Sequence, residues 1–105
     1  MLHLRLVAPV DLVPAVMAVL EAAPEVTNLW RLPGGAVKPE GDVISCDVAR
    51  EEGTTVLQRL RDLGLDHRGS IAIESVDASL SDVARAAERA APGSPADAVV
   101  WEEVE

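Results

Sequence analysis

Across residues 41–76 the spacing of the apolar side chains changes period twice, and few folds accommodate that. Ile44, Cys46 and Val48 alternate with Val43, Ser45 and Asp47, the two-residue period of a strand with one well-buried face. Val56, Leu57, Leu60 and Leu63 then recur at helical spacing, with Gln58, Arg59, Arg61 and Asp62 on the other face, so an amphipathic helix follows. Gly64 stands just past the last periodic residue, where a left-handed glycine closes a helix and Leu65 can fold back onto the last turn. From Ser70 the alternation resumes up to Val76.

The residues before this stretch repeat its grammar. Leu2, Leu4 and Leu6 alternate with His3 and Arg5, which predicts a strand. Asp11 is placed to cap a helix, and Pro14 falls in the first turn, where its missing N–H is not needed. Leu12, Val13, Val16, Met17 and Leu20 form the stripe of that helix, which Pro24 ends; Val19 and several alanines widen it into a candidate interaction surface. A second strand is predicted over 26–32, with Asn28, Trp30 and Leu32 on one side and Thr27, Leu29 and Arg31 on the other. Pro33, Gly34 and Gly35 are expected to break it and open a polar hairpin connection through Gly41.

Strand, helix, strand, strand, helix, strand predicts an α+β, ferredoxin-like sandwich over residues 1–78, a four-stranded antiparallel sheet with two helices on one face. The crossover rule is taken to set the first strand beside the third, parallel, in the centre. Residues 79–91 predict an appended helix with a weak stripe of Val83, Ala84, Ala87 and Ala91. Residues 92–105 read as a Pro-Gly-Ser-Pro linker and the start of a truncated helix carrying Trp101.

Composition narrows the function classes. Eighteen acidic against nine basic residues give a net charge of -9, which repels phosphate backbones and argues against nucleic acid as a partner. With no Phe or Tyr and only Trp30 and Trp101 as aromatics, the core must be aliphatic. No apolar run approaches the ~18–20 residues that span a bilayer, and the N-terminus leads into a strand without a signal peptide, so the residues are expected to be soluble and cytoplasmic.

Chemistry-bearing residues are sparse. His3 and His67 have no partner at ligand spacing, so no metal or other cofactor is expected. Adjacent carboxylates, Glu51/Glu52 and Glu102/Glu103, point about 100° apart on a helix and do not converge as acid and base. Glu51 and Glu52 are expected in the first turn of the second helix, complementing its dipole. Cys46 is the only strong nucleophile, and its place on the apolar face predicts a buried thiol. Nothing here predicts an enzyme. Gly34 and Gly35 lack the phosphate-cradling patterns, yet with Arg68 and Gly69 in the turn 66–69 they could present amides and a guanidinium to an anion.

The segments VTNLWRLPGGA, DVAREEGTTVLQRLRDLG, RGSIAIE and VVWEEVE together resemble the N-terminal region of the bacterial "uncharacterised hydrophobic domain" membrane proteins, the domain of unknown function 389. In that family the last segment runs into transmembrane helices. The resemblance implies a non-enzymatic regulatory or assembly module at the cytoplasmic face of the inner membrane, partnered by its own membrane region and by further copies of itself, with Val19, Trp30 and Trp101 as candidate contacts. Fold analogy alone supplies a second expectation, a sensor domain binding an anionic or amino-acid ligand at a subunit interface through Gly34, Gly35, Arg68 and Gly69.

Overall fold

The computed structural model describes residues 1–76 and 82–90. Its elements are β1 (Leu2–Ala8), α1 (Val13–Ala22), β2 (Val26–Val37), β3 (Glu40–Val48), α2 (Gly53–Asp62), the single-turn α3 (Leu65–Arg68), β4 (Ser70–Ser75) and α4 (Asp82–Ala90). The four strands form one sheet in the order β2-β3-β1-β4, every neighbouring pair antiparallel. The α+β class and the antiparallel sheet match the sequence expectation. β1 does lie beside β3, but the expected parallel pairing is corrected. α1 carries the chain over the sheet, and the tight reversal from β2 to β3 then sends β3 back between β1 and β2, opposed to both.

The alternation of β1 and β3 fixes the core. Leu4, Leu6, Ala8, Ile44, Cys46 and Val48 are fully buried on one face, where Val13, Val16 and Leu20 of α1 and Val56 and Leu60 of α2 cover them. Leu12, Met17, Val19, Leu57 and Leu63 pack at the margin of this cluster. On the opposite face Thr27 and Ser45 are also buried. α4 packs against β2 with Ala87 buried, so the alanine-rich helix is docked through an edge strand. Ala91, the linker, and the tail with Trp101 lie outside the described residues.

β2 departs most from its prediction. It does not stop at Leu32 but runs through Pro33, Gly34 and Gly35 to Val37, and the turn is made by Lys38 and Pro39. Two register shifts let it do so, one between Thr27 and Trp30 and one between Leu32 and Ala36. At the first, Asn28 takes a left-handed φ of 52°, which asparagine tolerates better than most side chains. The extra residue separates Thr27 from Leu29: Thr27 pairs with Asp47 on the second face, whereas Leu29 packs at the helix-covered core.

Two helix starts are also corrected. Leu12 occupies the N-cap of α1 without a side-chain cap. Asp11 instead accepts a charge-assisted hydrogen bond from Arg68 at 2.8 Å. Glu51 and Glu52 fall in a 3-10 turn, Arg50–Glu52, that precedes α2. The stop at Gly64 is as expected: it takes φ 82° and donates its N–H to the Arg61 carbonyl at 2.9 Å. No helix of the described residues is long and apolar enough to cross a membrane.

Candidate functional site

The β2–β3 hairpin and the β1–α1 loop meet at one end of the sheet. Gly41 permits the close pairing there, since a Cβ on it would stand 2.3 Å from the Ala8 carbonyl oxygen. Beside it Asp42 is buried, and its carboxylate accepts the Gly34 N–H at 2.8 Å with Arg31 Nε 3.9 Å away. That contact holds the irregular passage of β2 onto β3. The result is an open cleft of about 750 Å³ lined by Pro9, Val10, Asp11, Gly34, Val37 and Glu40 among others. Its rim is apolar, with Val10 77% and Val37 87% exposed, and its charges are carboxylates.

Of the four residues read as candidate anion ligands, only Gly34 lines this cleft, and its amide is directed to Asp42. Gly35 packs on its own neighbour, with the Leu32 side chain 2.6 Å from where a Cβ would stand. Arg68 reaches the cleft only through Asp11: the ion pair lowers the Asp11 pKa, chiefly by the hydrogen bond from Arg68, and raises that of Arg68 for the same reason. Gly69 serves packing, because a Cβ there would lie 1.9 Å from the Val7 carbonyl oxygen. With Asp42 taken up by the Gly34 amide and Arg31, and one Asp11 oxygen by Arg68, Glu40 and the second Asp11 oxygen, beside two exposed valines, suit an ammonium group with an apolar body better than an anion.

The proposed contact residues separate as well. Val19 is half-buried at the core margin. Trp30 lies on β2 opposite Ser45 and is 52% exposed, as is Leu32 two positions on. Sequence reasoning missed one cluster on the second sheet face. His3 Nδ1 sits 2.8 Å from Asp47 Oδ1, and Asn28 Nδ2 donates to Asp47 Oδ2 at 2.8 Å. These residues are far apart in sequence, and only the β1–β3 register and the bulge bring them together. Cys46 is buried as expected, and burial, followed by the neighbouring Asp47 charge, pushes its thiol pKa up to about 12. A thiol so protonated is a poor nucleophile at neutral pH.

A second, smaller groove of about 350 Å³ runs between α2 and β4. Thr54, Leu57, Gln58 and Arg61 form its wall, one face of the helix, while Ile71 and Ile73 form its floor. Among the described residues no cluster of His, Cys, Asp and Glu could hold a metal ion. Compared with family models, curated proteins and solved structures, the chain shows no significant match.

Proposed function

We propose that this chain is a non-enzymatic regulatory or assembly module, ferredoxin-like in fold, that works at the cytoplasmic face of a multi-span bacterial membrane protein. The order β2-β3-β1-β4, with α1 and α2 over the same face, supports the ferredoxin-like reading, since a split β-α-β unit leaves its second and fourth strands at the edges. The observation that carries the interaction role is Trp30. The protein has two aromatic residues, and one of them stands half in water on an edge strand, next to the equally exposed Leu32, while the core is filled by aliphatic side chains. Tryptophan is the residue most enriched at the energetic centres of interfaces. The segments VTNLWRLPGGA and RGSIAIE support the membrane-protein context by resemblance. Reading the source gene past Glu105 tests that context: an open frame continuing into apolar spans is expected, and a stop codon directly after Glu105 overturns it.

The open cleft favours a second reading, a sensor for a small amine or amino acid, whose ammonium would face Asp11 and Glu40 between Val10 and Val37. Thermal-shift screening with amino acids, and with nucleotides as anionic controls, tests it. A site filled at 100 times its dissociation constant stabilises the fold by about 2.7 kcal/mol, whereas a flat screen removes this reading.

A further inference from the structure

We infer that β4 is a self-association edge, pairing antiparallel with β4 of a second copy across a twofold axis at Ala72. The two edges of the sheet differ. β2 carries the features that obstruct strand addition: a left-handed residue at Asn28, Pro33, and two register shifts. β4, SIAIES, has no proline, glycine, lysine or register shift, and among the described residues it pairs on one side only, with β1.

Its side chains suit a copy of themselves. Ile71 and Ile73 stand opposite Leu6 and Leu4 of β1 and so belong to the helix-covered face. Yet α2 leaves them as the floor of a groove, with Ile73 51% exposed. In an antiparallel pair centred on Ala72, Ile71 of each copy falls opposite Ile73 of the other, and Ser70 opposite Glu74. Four isoleucines become contiguous, and no like charges face each other, as favourable cross-strand pairing requires.

Charge supports the same symmetry. α2 is preceded by Glu51 and Glu52 and carries Arg59 and Arg61 in its last turn. A twofold axis through β4 runs the two copies of α2 antiparallel, so Arg59 of each lies at the same end of the pair as Glu51 and Glu52 of the other, while Arg61 is held by Asp66 of its own chain at 3.6 Å. The inference stands on the β4 edge alone and does not depend on the role proposed for Trp30.

Ala72→Cys in the 105-residue chain tests it directly. The introduced thiol would meet its own copy at the axis, within the spacing that a disulfide bridges, and the native Cys46 is buried and protonated, so it does not compete. A disulfide-linked dimer is expected on mild oxidation, whereas Ala36→Cys on β2, at the opposite edge, should form no crosslink. Light scattering of the unmodified chain should show a concentration-dependent dimer, which Ile73→Lys weakens by roughly tenfold or more with its circular dichroism unchanged. A monomer at every concentration, or a dimer that crosslinks through position 36 and not through 72, overturns the inference. Neither outcome bears on whether the gene continues into membrane spans.

Discussion

Gly69→Ala is expected to cost this fold more than any other single methyl added at a described glycine. The added Cβ would stand 1.9 Å from the Val7 carbonyl oxygen and 3.2 Å from Leu65 Cδ1. The first of these is a backbone atom, so the collision cannot be relieved by turning a side chain. Gly69 also donates its N–H to the Leu65 carbonyl at 2.8 Å, and the next residue, Ser70, begins the pairing with Val7. To escape, the chain must open the first rung of β4 or move α3, and such overpacking costs about 1–3 kcal/mol, occasionally more. Gly34→Ala is the control. Its φ of 67° disfavours a side chain, but nothing lies within 4 Å of the new methyl. The left-handed penalty of roughly 1–2 kcal/mol is there partly offset by the stiffer unfolded chain, about 0.4–1 kcal/mol.

Urea unfolding of the three proteins, followed by circular dichroism, separates the two mechanisms. Gly69→Ala should lower the midpoint well beyond Gly34→Ala, with unchanged slopes. For a domain of this size each kcal/mol also shifts the melting temperature by about 4–8 °C. If Gly69→Ala unfolds within about 0.5 kcal/mol of the parent, a change typical of unconstrained surface sites, the close approach of β4 to β1 is not as described and the packing argument for Gly69 fails.

Stability should fall at alkaline pH. Cys46 is raised from the ordinary range to about 12 in the folded protein, so between pH ~9 and ~12 only the unfolded chain gives up this proton, and the loss is about 1.4 kcal/mol per pH unit; a Cys46→Ala variant with the same slope in that window refutes the assignment. Thr27→Val should stabilise by about 1 kcal/mol, since the Thr27 hydroxyl is buried without a hydrogen-bond partner and such a group costs roughly 1–3 kcal/mol; thermal melts showing destabilisation would mean the hydroxyl is satisfied. Leu60→Ala, at a fully buried position of α2, should cost about 2–5 kcal/mol, and Asp47→Asn about 1 kcal/mol through its contacts with His3 and Asn28, both read from denaturant midpoints.

What the sequence disclosed follows a physical division. β1, β3, α1 and α2 each bury one face against the same core, and burial writes itself into the residues at a fixed period: Leu4 and Leu6, Ile44 and Cys46, Val16 and Leu20, Val56 and Leu60 were all legible as the interior. Gly64 was legible because a helix end needs a left-handed residue there. β2 was legible only as far as Leu32, and its faces not at all, since an edge strand has only one neighbour to satisfy. Its exposed residues answer to no periodic demand, and a Pro-Gly-Gly run that would interrupt a central strand is tolerated where one side of the ladder is free. Asp11 was misread for a related reason: its local geometry suited a cap, but Arg68, 57 positions away, offered a charged donor that no local rule anticipates.

The same division explains why the candidate surfaces escaped periodicity. A side chain that serves a partner is one the fold itself does not use, so it appears as a break in pattern, and a break carries no address. Trp30 could be noticed in the sequence only because aromatic residues are scarce; that it faces away from the α1–α2 core required the bulge at Asn28 to be known. Ile73 gave the opposite signal. It continues the apolar alternation of β4 and reads as core, yet α2 packs over the central strands and leaves it 51% exposed. A fifth strand beside β4 would give that isoleucine the covered environment its sequence pattern implies. Ile73→Thr, which keeps β-branching and replaces the ethyl arm by a hydroxyl, should therefore leave the stability of a dilute monomer within about 0.5 kcal/mol of the parent while weakening association. A large loss of monomer stability would instead show that Ile73 already belongs to the folded core.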